Sequence, residues 1–175
     1  MGLRSFCSVV VLAGCALGAS ITTGFSAKDS AVTSSGLPVP RYVSLKSDHV
    51  NVRAGPTKDN DVAWVYTRSG LPVEITAEFE NWRRVRDSEG AEGWVYHSLL
   101  SGRRTAVITM KNKDDLAQLY DRADPTSAVA ARLQAGVVAQ VKHCAAGWCH
   151  INGTGFDGWI EQQRLWGVYA GENVD

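Results

Sequence analysis

The chain repeats itself. Arg53-Ala54-Gly55-Pro56-Thr57, Gly70, Trp82, Val85 and Gly93-Trp94-Val95 recur as Arg122-Ala123-Asp124-Pro125-Thr126, Gly136, Trp148, Ile151 and Gly158-Trp159-Ile160. The offset is 69 positions at the proline, 66 at the first Gly and Trp, and 65 at the second Trp. The later copy is therefore shorter by three residues in one loop and by one in another. Two copies of about 60 residues fill nearly all of 41–169 and account for most of the 6 Trp in 175 residues.

Each copy reads as short strands between turns. In the first copy the strands are Val43–Val52, Asp61–Tyr66, Leu71–Phe79, Trp82–Arg86 and Gly93–Tyr96. The turns are Ala54-Gly55-Pro56, Ser69-Gly70, Glu80-Asn81 and Ser88-Glu89-Gly90. Apolar runs of this length, punctuated at this spacing, predict a small all-β barrel. Asp114–Tyr120 also fits one helical turn, which does not change the class.

The N-terminus has a different character. Arg4 is followed by an uncharged apolar run from Phe6 to about Ser20, then by small residues up to Ala27. This is the layout of a secretory signal over 1–27, and the run is short of the roughly 20 residues a membrane-spanning helix needs. Two processing routes fit. One is ordinary cleavage near Gly24–Ala27. The other reads Leu12-Ala13-Gly14-Cys15 as a lipobox, with a lipid on Cys15 as the sole membrane attachment. Residues 28–40, rich in Ser, Gly, Pro and Thr, are expected to be a flexible tether. The folded units are placed at 41–101 and 105–170.

The chain carries 18 Lys+Arg and 18 Asp+Glu, and 45% of it is hydrophobic. That composition excludes a disordered chain and a collagen-like repeat. The charge balance, −1 once the single Arg4 leaves with the signal, argues against a nucleic-acid binder.

The order Asn-Val-Arg-Ala-Gly-Pro (51–56), Glu-Asn-Trp-Arg-Arg-Val (80–85) and Gly-Trp-Val-Tyr-His-Ser-Leu-Leu (93–100) resembles a bacterial SH3 domain of the exported SH3b type. The second copy resembles it through Gly147-Trp148-Cys149-His150-Ile151, Gly158-Trp159-Ile160 and Leu165-Trp166-Gly167-Val168-Tyr169. The resemblance covers about 130 residues. It implies two tandem five-stranded barrels and a binding role, often toward cell-wall peptides. The paired tyrosines by which eukaryotic relatives hold proline-rich helices are missing at Val52-Arg53-Ala54.

Cys144 and Cys149 are the only cysteines after the signal. If Ala146-Gly147 is a hairpin turn, they face each other as a non-hydrogen-bonded pair, with Cα atoms roughly 4.5 Å apart. A disulfide spans that distance, and export supplies an oxidising compartment. The equivalent positions of the first copy are Glu78 and Arg83, an opposite-charge pair. His143 and His150 also face each other, but strand alternation turns them to the opposite face, so no metal site is expected.

Trp82 and Trp148 stand where SH3 domains carry a groove aromatic. They are candidates for a binding face together with Arg84 and Tyr96, the alternative for both indoles being a cap on a small core. Trp94 and Trp159 are expected to pack in the core. Arg83, Arg84, Arg86, Arg103 and Arg104 read as a solvated basic stretch, with an anionic ligand as the second reading. No phosphate loop or nucleophile elbow is present, and two barrels leave no room for a catalytic domain, so no enzyme and no cofactor are expected. The expected function is an exported module that docks on cell-wall peptide, peptidoglycan or an envelope protein in the periplasm. The alternative is a scaffolding envelope protein that uses its barrels only for protein contacts.

Overall fold

A computed structural model describes residues 33–112 and 114–175. The expected export signal, Cys15 and the start of the expected tether lie outside the described residues.

Each copy is a seven-stranded antiparallel sheet. The first is built from β1 (Arg41–Leu45), β2 (Val50–Arg53), β3 (Val62–Tyr66), β4 (Pro72–Phe79), β5 (Trp82–Arg86), β6 (Glu92–Tyr96) and β7 (Leu100–Ser101). The second is built from β8 (Thr105–Ile108), β9 (Leu116–Tyr120), β10 (Val129–Gln134), β11 (Val138–Ala145), β12 (Trp148–Gly153), β13 (Phe156–Glu161) and β14 (Leu165–Trp166). The strand orders, β3-β2-β6-β5-β4-β1-β7 and β10-β9-β13-β12-β11-β8-β14, are the same topology twice. A single 3-10 turn, His97–Leu99 or Gln162–Arg164, precedes the last strand of each.

The all-β class is as expected, but the strand count is seven where five are expected. Val43–Val52 is not one strand. The Ser47 hydroxyl accepts the His49 N–H at 2.9 Å, and this local turn separates β1 from β2. The seventh strand is the two-residue segment after the 3-10 turn. Leu116–Tyr120 is a strand and not a helical turn, because Ala117 and Leu119 alternate inward.

Two separate cores result. Val43, Leu45, Val50, Val52, Val73, Ile75, Val85, Val95 and Leu100 fill the first. The second includes Ile108, Leu119, Val141, Ile151, Ile160 and both cysteines. Gly93 and Gly158, the glycines of the repeated Gly-Trp pair, serve these cores by lacking a side chain. A Cβ at Gly93 would strike Val52, and one at Gly158 would lie 2.7 Å from the Tyr120 carbonyl oxygen.

The β11–β12 hairpin has the predicted register, with Cys144 opposite Cys149 and their Cα atoms 4.1 Å apart across a disulfide. The backbone N–H and C=O of Cys144 turn away from Cys149 and bond to Val174 at 2.8 and 3.1 Å. That is the property of a non-hydrogen-bonded pair. Ala146 and Gly147 both take positive φ, 50° and 81°. This is the sense of twist that two-residue hairpins favour. In the first copy Glu78 faces Arg83, and their side chains meet at 3.1 Å. Arg41 reaches the same carboxylate at 2.6 Å, and the Ser35 N–H and hydroxyl donate to it at 2.9 and 2.8 Å. The described part of the expected tether is thus hydrogen-bonded to the first barrel.

The two copies touch. Tyr42 of β1 packs edge-on against Trp166 at 5.1 Å and lies 4.6 Å from the Tyr169 ring. The Tyr169 hydroxyl donates to Glu74 of β4 at 2.9 Å, and Arg68 donates to the Gly136 carbonyl at 3.0 Å. Arg104, in the link just before β8, forms an ion pair with Glu172 beyond β14 at 2.7 Å, a contact on the second copy's side.

Two outcomes follow from the hairpins. Ala146 carries a Cβ in left-handed backbone, a cost of roughly 1 kcal/mol. Ala146→Gly is expected to raise the unfolding free energy by up to that amount in urea titrations, whereas Ala145→Gly, on the strand, lowers it. Burial pushes the Glu78 carboxyl up, but hydrogen bonds from Arg41 and Ser35 outweigh it and bring the pKa from 4.5 down to about 2. A depressed folded-state pKa gives stability that is present above the unfolded value and lost as pH falls toward the folded one. The thermal midpoint is expected to drop between about pH 4.5 and 2, and Glu78→Gln should flatten that stretch of the curve.

Candidate functional site

Strand parity decides which side chains leave the first barrel. Val52, Val85 and Val95 point inward and are fully buried. Their neighbours Arg53, Arg84, Trp94 and Tyr96 therefore project from the outer face, as does Trp82. Arg53 lies opposite Trp94, Trp94 opposite Arg84, and Trp82 opposite Tyr96. The Trp82 and Tyr96 rings meet edge to face, 5.4 Å apart at 80°.

Trp82 and Tyr96 floor an open cavity of about 300 Å³. Asn51 and Arg53 of β2, Lys58 of the loop beyond it, and Ser98 and Leu99 of the 3-10 turn complete the wall. No carboxylate lines it. Arg53 bonds the Asn60 carbonyl, and neither Arg53 nor Lys58 forms an ion pair among the described residues. The site thus offers an aromatic floor and two cations, a combination that holds an apolar group next to an anion.

Trp82 is only 7% exposed, although it lies outside the aliphatic core. Tyr96 is half-buried at the cavity edge, and Arg84 is exposed and tied to Glu92 at 2.6 Å. Arg84 does not line this cavity. The cations that do, Arg53 and Lys58, were legible in part. Arg53 sits within the Asn-Val-Arg-Ala-Gly-Pro motif and alternates with the inward Val52.

The second copy keeps the tryptophan and changes its surroundings. Trp148 is half-buried and meets Tyr120 edge to face at 5.7 Å. Opposite it in register stands Glu161, where the first copy has Tyr96. The Glu161 carboxylate accepts from Gln163 at 2.9 Å and from Arg164 at 3.4 Å. Glu161 and Trp148 line a cavity of about 420 Å³ with Leu165 and Val168.

Trp94 and Trp159 do not pack in the core as the sequence leads one to expect. Val95 and Ile160 hold the inward positions, so both indoles lie half-exposed on the outer faces. Trp159 stacks on His150, 5.0 Å away at 15°. His143 and His150 are opposite each other on that outer side, while the disulfide is fully buried. Among the described residues no three His, Cys, Asp or Glu side chains are placed to hold a metal. The basic stretch divides: Arg83 is buried against Glu78, Arg86 joins Glu74 at 2.6 Å, and Arg104 joins Glu172. Arg103 alone of the five forms no ion pair among the described residues.

A family model described as bacterial SH3 domain matches the chain twice, over residues 46–102 and 113–167. No curated protein matches it. Among solved structures it is similar to NlpC2 from Trichomonas vaginalis, at 16% identity and a TM-score of 0.32, over 73% of this chain and 48% of that one. It is also similar to NlpC1 from the same organism, at 18% identity and a TM-score of 0.32, over 77% of this chain and 48% of that one. The chain spans about half the length of either protein.

Burial separates the two groove aromatics as probes. Trp82→Ala is expected to cost about 3 kcal/mol of stability, as for other buried tryptophans. Tyr96→Ala, at the cavity edge, should cost less than about 1.5 kcal/mol. Denaturant midpoints of the two variants check this, and equal losses would place both rings in the packed interior.

Proposed function

The chain belongs to the bacterial SH3 domain family, in two tandem copies, and from that premise we propose that it is an exported, non-catalytic module that docks on cell-wall peptide. The groove of the first copy is the docking face. The observation that carries this reading is the pairing of a Trp82–Tyr96 floor with Arg53 and Lys58 in a cavity without a carboxylate. A peptide with a short apolar side chain and a free carboxylate satisfies both halves. The methyl group lies on the rings, and the carboxylate meets the cations as charge-assisted partners. Both cations are near the surface, so their attraction is screened by salt.

Export over residues 1–27 is part of this reading and rests on the apolar run after Arg4. The buried disulfide supports it, since such bonds persist in oxidising compartments. On this reading the periplasm or cell envelope is the site of action.

The test is retention on purified peptidoglycan sacculi. The oxidised wild-type protein should co-sediment, with retention falling as salt rises. Tyr96→Ala and Lys58→Glu, each shown to be folded by its thermal transition, should lose about tenfold in affinity, on the order of 1.4 kcal/mol. Retention unchanged in both folded variants would move the docking face elsewhere. No retention of the wild type would favour a protein partner in the envelope, to be sought by crosslinking in intact cells.

A further inference from the structure

The junction of the two copies holds a second cavity, distinct from the aromatic groove. Its volume is about 540 Å³, and both barrels line it. From the first copy come Ser44 of β1 and Ser101 of β7, which are opposite each other in register. From the second come Thr105, Gln140 and Asn152. These three form one row across adjacent strands, Thr105 of β8 opposite Gln140 of β11 and Gln140 opposite Asn152 of β12. A row of hydroxyl and amide groups thus faces a pair of hydroxyls across the cleft.

Two of these groups lack a partner. Thr105 is 6% exposed, and its Oγ1 makes no hydrogen bond among the described residues. The Asn152 Oδ1 is buried and equally unpartnered. Leaving such atoms unmatched is costly, so native proteins rarely do so without a reason. The cavity also has a charge. Lys46 and Arg103 line it, and no Asp or Glu does. The Lys46 Nζ bonds only a carbonyl, that of Ser98 at 3.0 Å, and the Arg103 guanidinium has no partner among the described residues.

We propose that this interdomain cleft is a binding site for an anionic sugar, a compact polyhydroxylated ring carrying one carboxylate or phosphate. The ring hydroxyls fit the site because a hydroxyl both donates and accepts. Once a side-chain rotation turns these buried atoms to the cleft, one hydroxyl can donate to the Asn152 Oδ1 while another accepts from Thr105. The charged group goes to Arg103 and Lys46 at the mouth. An uncharged sugar leaves the cations unused, and a simple anion leaves the buried Thr105 and Asn152 unmatched. Both copies are required, because each supplies one wall.

The test is titration of the ¹⁵N-labelled full chain with three probes: glucuronate, glucose 6-phosphate and neutral glucose. At least one charged sugar should move the backbone resonances of Arg103, Thr105, Gln140 and Asn152 together and saturably. Which of the two binds more tightly identifies carboxylate or phosphate as the natural anion. Glucose should bind at least tenfold more weakly. Thr105→Val and Arg103→Glu should each weaken the response tenfold or more, and Arg103→Glu, at an exposed position, keeps the test open if Thr105→Val does not fold. No saturable shift with either charged sugar overturns the proposal. So does equal binding of glucose, or an unchanged response in the folded variants. The groove residue Tyr96 lies outside the cleft, so Tyr96→Ala should leave these titrations unaltered, and this separates the cleft from the peptide-binding groove.

Discussion

The arrangement of the two barrels rests on one buried carboxylate. Glu74 is 7% exposed, and a charge so placed is costly unless it is both neutralised and hydrogen-bonded. Arg86, from the first copy, donates twice to Oε2 at 3.0 and 2.6 Å. Tyr169, from the second, donates to Oε1 at 2.9 Å. The two oxygens thus have partners from different domains, and full satisfaction of the charge requires both domains in place. Burial, and then the bond to Glu74, raise the Tyr169 hydroxyl above the ordinary tyrosine range. It therefore remains a donor at any physiological pH. Its ring lies against Tyr42, whose hydroxyl burial pushes up to about 12. A polar contact of fixed direction, backed by aromatic packing, resists sliding in a way that apolar contact alone does not.

The hairpin pair at 78/83 and 144/149 shows how one structural demand is met by different chemistry. In both copies two residues face each other near a tight turn and must be held. The disulfide does so with a bond that closes a very short loop, where chain entropy yields only about 2 kcal/mol. The ion pair does so with a carboxylate that is 1% exposed and shared by two arginines. Each solution also holds a flanking segment. The carboxylate of Glu78 takes the N–H and hydroxyl of Ser35, and the backbone of Cys144 takes Val174. The charged version depends on pH and the covalent one on redox state. The two barrels thus have different weaknesses although their topology is the same.

Much of this was legible because β structure is written with a period of two. The repeat announced a fold written twice, the turn at Ala146-Gly147 set the hairpin register, and the register placed the cysteines together. The same period also governs which large side chains face outward. Trp94 precedes the inward Val95, so alternation along β6 already turns it outward, whereas its size alone points to the core. The break between β1 and β2 was less accessible, since it depends on one Ser47 side-chain bond inside an otherwise alternating run. The link from Glu74 to Tyr169 spans 95 positions, and nothing local marks either residue. The cleft is invisible for the same reason. Its walls are ordinary Ser, Thr, Gln and Asn, and only the docking of one barrel on the other brings them together.

Duplication gives two identical sites only if selection keeps both, and this pair has diverged at the groove itself. Trp82 and Trp148 occupy the same position, yet one faces Tyr96 and the other Glu161. The edge-to-face tyrosine is retained in both copies but comes from β6 in the first and β9 in the second. A tyrosine edge thus braces the tryptophan in both copies, while the residue facing it changes from Tyr96 to a carboxylate, Glu161, which is paired with Arg164. An anionic peptide attracted by Arg53 and Lys58 would meet the carboxylate of Glu161 at the corresponding place. The second copy is thus not a spare groove. Its polar row of Thr105, Gln140 and Asn152 faces the first copy, and among the described residues both domains line the cleft between them.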